Sequence, residues 1–271
     1  MKNFKNIAIL GTGNIGMSIA DGLLASNAMS AESITLTRRK IERLDKYKTM
    51  GIRTTTDNLA AVRTSQILII AVEPGQIDAL LAEISPELRQ DYHTIISVVT
   101  GVSIDQIAAG AKKDVAIVRA MPNTAISLQE SITCLASNTQ HESALEVGVS
   151  IFNTVGKTVV IEENLMGAAT ALGACGIAFF LRAIRAASQG GIEIGFHSKN
   201  ALLIAAQVAK GAAELILKMD NHPESEIDKV TTPRGVTIAG LNQMEHEGFS
   251  SAMIKGIVTS ANKAQSVYKK N

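Results

Sequence analysis

The chain has 271 residues, long enough for two modest domains with separate cores. Apolar residues make up 46%, which excludes a disordered chain. With 26 basic against 25 acidic residues, a net charge of +1, only 3% aromatics and no Trp, it lacks the basic stripe and stacking surface of a nucleic-acid binder.

Lys2 and Lys5 precede an uncharged run from Asn6 to Ala20, a loose likeness to a secretion signal. Gly11, Gly13, Asn14 and Gly16 interrupt that run, so strand, turn and helix describe it better. The pattern predicts a strand at Ile7–Leu10, a helix at Ile15–Leu24 and a strand at Ser33–Thr37, rich in β-branched residues. A charged helix at Ile41–Met50, a strand at Gly51–Thr55 and a short helix at Asp57–Arg63 follow. Ile67–Val72 is an unbroken apolar run, as in a strand buried on both faces. Next come a helix at Ile77–Ile84, a strand at Thr94–Val99, a helix at Ile104–Ala109 and a strand at Val115–Arg119. Strands at Ile132–Ala136 and Thr158–Ile161 flank a helix at His141–Asn153. This alternation implies an α/β, mostly parallel, doubly wound sheet.

Past Ile161 no further strand is expected. Leu165–Ser188 reads as a long helix, and its uncharged part, Leu165–Leu181, as a buried one, short of the ~20 residues that span a bilayer. Ser198 can cap the next helix, whose apolar residues recur from Ala201 to Met219. His222-Pro223 is read as fixing the helix exit. Helices at Ile238–Glu247 and Ser251–Tyr268 close the chain. The boundary falls near Glu162–Asn164, giving domains 1–162 and 163–271. So wide an apolar helical surface implies burial against a second subunit. Cys134 and Cys175 form no zinc pattern and no disulfide framework, and read as buried thiols in a reducing cytoplasm. The five His residues show no metal-ligand spacing.

Gly11, Gly13 and Gly16 have the G-x-G-x-x-G spacing between a strand and a helix. With Asn14 and Ile15 they form a nucleotide grip, in which the helix N-terminus offers free N–H groups to phosphates. The second strand ends Thr37-Arg38-Arg39-Lys40, with no acid to accept from a ribose 2′-OH. Arg beside the ribose suits a 2′-phosphate, hence NADPH as cofactor and NADH as second option. Ala71, Val72 and Pro74 close the fourth strand, where its backbone should border the cofactor. Asn58, after the third strand, is a candidate for the adenosine ribose. Asn123 either orders the nicotinamide side or caps a turn. Near the other end, Thr232-Pro233-Arg234-Gly235-Val236-Thr237 runs into a helix, and the amides of Gly235, Val236 and Thr237 can hold a small anion.

These residues resemble the pyrroline-5-carboxylate reductase family. The likeness rests on Gly11–Gly16, Ala71–Pro74, Met121-Pro122-Asn123-Thr124, Thr170–Phe179 and His222–Ile238, in order along nearly the whole chain. The resemblance implies reduction of the ring C=N of Δ1-pyrroline-5-carboxylate to L-proline, usually with NADPH. It also implies an N-terminal Rossmann-like dinucleotide-binding domain and a C-terminal all-α dimerisation domain intertwining two subunits, often in rings of dimers such as five. The anion is then the substrate carboxylate, to which the Thr232 hydroxyl can add a hydrogen bond. The family threonine matching Thr237 faces the ring nitrogen, and Asp220 stands where the family often has Glu. The sequence departs from the family at Glu73 (Lys), Ile177 (Pro), Phe179 (Tyr), Thr232 (Ser) and Arg234 (Gly), and Arg182 and Arg185 lie where more acidic character is expected. Two other readings share the two-domain plan. One is a β-hydroxyacid dehydrogenase, which needs a helical Lys acid/base such as Lys199, Lys210 or Lys218. The other is a dinucleotide sensor without turnover.

Overall fold

Ile7–Leu10, buried at every position, forms β1 near the middle of an eight-stranded sheet. The structure is a computed structural model and describes residues 6–138 and 142–264. From β1 the chain passes through α1 (Asn14–Ala25) to β2 (Ile34–Thr37), then α2 (Asp45–Thr49), β3 (Arg53–Thr55), α3 (Asn58–Thr64) and β4 (Ile67–Ile70). It continues through α4 (Ile77–Ile84), β5 (Thr94–Ser97), α5 (Ile104–Ala111) and β6 (Ala116–Met121). Last come β7 (Ser131–Ser137), α6 (Glu142–Phe152) and β8 (Gly156–Val160). His141, expected to open α6, lies outside the described residues.

The strand order is β3-β2-β1-β4-β5-β6-β7-β8. All neighbours run parallel except β6 and β7, whose antiparallel ladder pairs Met121 with Cys134. The order reverses direction between β1 and β4, and their register brings Leu10, Thr37 and Ile70 level at one edge. That reversal leaves a crevice at the carboxyl ends, where doubly wound sheets take ligands. Alternate residues face opposite sides of the sheet. Ile7 and Ile9 join Ile19 and Leu23 of α1 and Phe152 of α6 on one face. Ala8 and Leu10 join Val62, Leu81 and Ile107 of α3, α4 and α5 on the other. Each of these large side chains is fully buried, contributing about 1.5–3 kcal/mol. Caps follow the sequence: Asp57 accepts from the Ala60 amide at 2.9 Å, and Ser103 and Gln106 form a capping box on α5.

After β8 come α7 (Met166–Ala169), a π-turn (Thr170–Cys175) and α8 (Gly176–Glu193). Then α9 (Ser198–Met219), α10 (Pro223–Val230), α11 (Val236–His246) and α12 (Phe249–Ala264) complete the helical part. Residues 265–268 of the expected last helix lie outside the described residues. Several expectations need correction. The helix expected from Leu165 to Ser188 is broken by the π-turn, and its apolar stretch is not a buried one: Met166 and Ala169–Ala171 are buried, but Leu165, Leu172, Phe180 and Leu181 are exposed on the single chain. Its helical run, Glu163–Glu193, and α9 are long and apolar enough, by length and composition alone, to cross a membrane. His197, not Ser198, takes the cap position of α9, without a side-chain bond. His222-Pro223 begins a helix instead of ending one: His222 Nδ1 accepts from the Glu224 amide at 3.3 Å and Pro223 fills the first position, where its missing N–H costs nothing.

The chain packs as two units, residues 6–175 with 259–264, and Gly176–Val258. Residues 163–175, expected in the second domain, join the first unit because Met166 and Ala169 pack with Met121 and Ala136 of the sheet. In the second unit, α8 and α9 approach closely where Gly191 faces Ala201: a β-carbon on Gly191 would lie 3.1 Å from that of Ala201. Among its described residues Ala201 is the sole buried apolar side chain, while Leu203, Val208, Leu217 and Ile254 are exposed.

Candidate active site

The turn after β1 is shaped by Gly11, whose φ of +84° is open to glycine and strained for other residues. A β-carbon there would also collide with Cγ1 of Val72. Beneath the loop, the Gly11 amide donates to Thr37 Oγ1 at 3.3 Å and the Thr12 amide to the Thr37 carbonyl at 2.8 Å. Thr37 is buried, and its hydroxyl and carbonyl support the loop from below. Gly16 backs onto the Gly11 carbonyl and Ile9, each 3.3 Å from where its β-carbon would be. Gly13 has no neighbour within 4 Å of that position and caps α1 without a side-chain bond. The first intrahelical bond runs from the Met17 amide to the Gly13 carbonyl, leaving the amides of Asn14, Ile15 and Gly16 as the helix's free donors. An uncapped helix start with open space before it fits a diphosphate.

Arg38 follows β2 and donates to the Thr12 carbonyl at 2.6 Å, which holds its guanidinium against the glycine loop. Arg39 and Lys40 are exposed, and none of the three pairs with a carboxylate among the described residues. This basic cluster beside the grip fits a ribose 2′-phosphate. Ala71 sits against β1 through its amide to the Leu10 carbonyl at 2.8 Å, and Val72 seals Gly11. Pro74 opens a single 3-10 turn, and Glu73 is exposed. Asn58 starts α3, but its amide donates to Glu83 at 3.1 and 3.2 Å, leaving only its oxygen for another partner. Asn123 caps the turn Thr124–Leu128, accepting from the Ala125 amide at 3.0 Å.

In the helical unit, the Gly235 amide donates to the Thr232 carbonyl at 2.8 Å, closing a turn with Pro233 and Arg234 at its centre. Arg234 holds φ +59° where the family pattern has glycine. A β-carbon on Gly235 would lie 2.5 Å from Thr232 Oγ1, so glycine is required there. The turn corrects one expectation: the Gly235 amide is consumed. Helix α11 begins at Val236, two residues earlier than expected, so its free donors are the amides of Val236, Thr237 and Ile238. The hydroxyls of Thr232 and Thr237 have no hydrogen-bond partner among the described residues. Asp220 ends α9 with φ +52°, and Asn221 next to it donates to Glu226 at 2.6 Å. Lys229, with Asn221, holds the Glu226 carboxyl below its usual range, pinning α10 ahead of the threonine loop.

Sequence reasoning missed Arg119 and Glu163. Arg119 on β6 is buried and meets Glu163 at 3.1 Å, and the same carboxylate oxygen accepts from the Ile104 amide at 2.7 Å. Burial lowers the Arg119 pKa, partly offset by Glu163. Nothing in local sequence marks so distant a pair. Burial pushes the Cys134 thiol up, against thiolate chemistry. Lys218 pairs with Glu214 at 2.8 Å on α9. Among the described residues no three His, Cys, Asp or Glu side chains are grouped as a metal site.

Residues 163–267 match the family model for pyrroline-5-carboxylate reductase dimerisation, and residues 6–101 match that for coenzyme F420-dependent NADP oxidoreductases. Pyrroline-5-carboxylate reductase 2 of Dictyostelium discoideum is 51% identical over 280 residues, covering 97% of this chain and 93% of the relative. The chain belongs to the pyrroline-5-carboxylate reductase family. A further member, pyrroline-5-carboxylate reductase 1 of the same organism, is 53% identical over 99% of this chain, which spans 51% of that relative's length. Among solved structures, the family member from Coxiella burnetii superposes with a TM-score of 0.89 at 28% identity, covering 98% of this chain and all of the other. The Plasmodium falciparum enzyme, solved with NADP bound, gives 0.89 at 24% identity over 98% of this chain and 99% of the other, a likeness of fold.

Proposed function

We propose that this chain reduces the ring C=N of Δ1-pyrroline-5-carboxylate to L-proline with NADPH, the last step of proline biosynthesis. The observation that carries the reading is the pairing of an uncapped glycine-loop helix beside Arg38 with a threonine turn opening α11, in a chain 51% identical to a named reductase. In this reading residues 1–162 hold the dinucleotide and 163–271 hold substrate and partner subunit. Gly11, Gly13, Asn14, Ile15 and Gly16 take the diphosphate, and Arg38 with Arg39 takes the 2′-phosphate. Asn58 reaches the adenosine ribose, and Ala71, Val72 and Pro74 border the cofactor.

When bound, the dihydronicotinamide supplies the hydride that reaches the imine carbon. The amides of Val236 and Thr237 hold the substrate carboxylate, with the α11 dipole behind them and the Thr232 hydroxyl beside them. Thr237 Oγ1 orients the ring nitrogen and stabilises the amine as it forms. A protonated imine is already electrophilic, so no strong general acid is required. Asp220 supports the loop from the end of α9. The enzyme works in the cytoplasm as a homo-oligomer, an intertwined dimer that can assemble further into a ring of five dimers.

The test is to follow NADPH oxidation with Δ1-pyrroline-5-carboxylate, with NADH in parallel. Rapid turnover supports the reading, and NADPH binding without oxidation rejects it in favour of a sensor. Thr237→Ala will lower kcat by about 10–100-fold, as loss of a transition-state hydrogen bond does, with NADPH affinity kept. Equal loss of both removes Thr237 from the chemistry.

A further inference from the structure

Asn123 follows β6 at the carboxyl edge of the sheet and is buried. Its oxygen accepts from the Ala125 amide at 3.0 Å, and its own backbone amide donates to Ser131 Oγ on β7 at 3.2 Å. Its side-chain amide donates to the Gly173 carbonyl at 3.0 Å, across fifty positions of chain. The turn that Asn123 caps packs on α1, where the absence of a side chain at Gly22 leaves room for the Ile126 carbonyl. One side chain therefore ties the helix of the glycine loop, the end of β6 and a distant backbone carbonyl.

That carbonyl lies in the π-turn Thr170–Cys175. In an unbroken α-helix it would accept from the Ile177 amide four residues on. A π-turn displaces this ladder, is rare, and concentrates at functional sites. The family pattern has proline at 177, which lacks that N–H and breaks the helix covalently. This chain has Ile177, which keeps the N–H, and the π-turn is present all the same. At this break the Gly173 carbonyl has a tertiary donor in Asn123.

We propose that Asn123 is a positioning residue for hydride transfer, holding the π-turn at Gly173 against the carboxyl end of β6 and the amino end of β7. The proposal rests on the reductase reading above. Each polar group of the Asn123 side chain has a partner within the protein, and in this proposal it acts on a ligand through the π-turn. The diphosphate grip at Gly11–Gly16 and Arg38 is built from other residues. Asn123 stands at the carboxyl end of β6, the edge where doubly wound sheets take ligands, so its loss should displace the π-turn there and leave the grip intact, and misplacement by about 1 Å costs on the order of 100-fold in rate.

The experiment uses the full chain with Asn123→Asp, Ile177→Pro and the double variant. Asn123→Asp can still cap Ala125 but cannot donate to Gly173. Its kcat should fall about 10–100-fold, while the NADPH dissociation constant, read by fluorescence titration, changes less than about threefold. Ile177→Pro alone should shift Tm by less than about 3 °C, because the Gly173 carbonyl already has a donor. In the Asn123→Asp background the same proline should cost roughly 6 °C or more beyond additivity. Parallel loss of kcat and NADPH affinity would make Asn123 a cofactor ligand and overturn the proposal, as would additive Tm shifts. If the unmodified chain binds NADPH but does not reduce the imine, the reductase reading and the hydride-transfer role fall together. The Tm cycle, which needs no turnover, still decides the tie to Gly173. If Asn123→Asp does not fold, Ile177→Pro alone decides: near-native Tm supports the tie, and loss of folding rejects it.

Discussion

Arg38 shows how one side chain can serve both fold and ligand. Its bond to the Thr12 carbonyl places the guanidinium over the glycine loop, with further N–H groups free for a phosphate. Arg38→Ala should raise KM for NADPH about 10–100-fold, the cost of a lost charge-assisted contact, and leave KM for NADH nearly unchanged. Equal effects on both cofactors would place the 2′-phosphate elsewhere. His93 carries the clearest pH consequence. It is buried, with Nδ1 accepting from the Arg89 amide at 2.8 Å and Nε2 donating to the Val62 carbonyl at 3.2 Å. Burial, aided by the Arg89 charge, holds its pKa below the usual 6.5. The unfolded chain therefore takes up this proton more readily than the folded one. Its contribution is complete above pH 6.5 and is lost as pH falls from there through the folded pKa. Tm should decline between about pH 7 and 5, and His93→Gln should flatten that slope; an unchanged slope would assign it to other groups.

At the scale of elements, the glycine loop and the helix starts carry the site. Gly11→Ala would force a β-carbon into Val72 in a backbone already at positive φ, costing about 1–3 kcal/mol. A urea midpoint lowered accordingly, together with weakened NADPH binding, is the expected result, and an unchanged midpoint would show that the loop can relax. The threonine turn shows how an element's start is set by its cap. Because the turn consumes the Gly235 amide, the donors of α11 shift to Val236, Thr237 and Ile238. The apolar period of α11 does not reveal this, since it depends on Arg234 adopting φ +59°.

For the whole molecule, the two units differ in how much core they possess. The sheet buries large residues on both faces, while the helical unit, among its described residues, buries Ala201 alone of its apolar side chains. A unit with so little core draws its stability from contacts beyond itself. With residues 163–267 matching a dimerisation family, the exposed faces of α8 and α9 suit a second subunit, although both helices are also apolar enough to cross a membrane by composition. Arg182 and Arg185 within α8 and Lys199, Lys210 and Lys218 within α9 speak for the subunit. Tm should rise with protein concentration, and sedimentation should show at least a dimer at micromolar concentration. A stable monomer with a concentration-independent Tm would contradict this.

The sequence by itself determined the order and type of nearly every element of the sheet domain. An apolar run buried on both faces has few alternatives, and Gly11, Gly13 and Gly16 act through local backbone geometry that their own chemistry dictates. It determined the family too, because the motifs stand in order along the chain. Tertiary structure decided what depends on residues far apart. Asn123 was legible as a candidate, but only packing shows its amide spent on Gly173. Arg119 and Glu163 were invisible, because a partly buried ion pair between distant segments has no local period. Helix α10 is not expected from the sequence, because His222-Pro223 can mark the exit of one helix or open the next, and the choice rests on where the Glu224 amide finds its acceptor. Local chemistry writes the elements, while the pairing of buried polar groups is settled only when separate elements meet and each donor must find a partner.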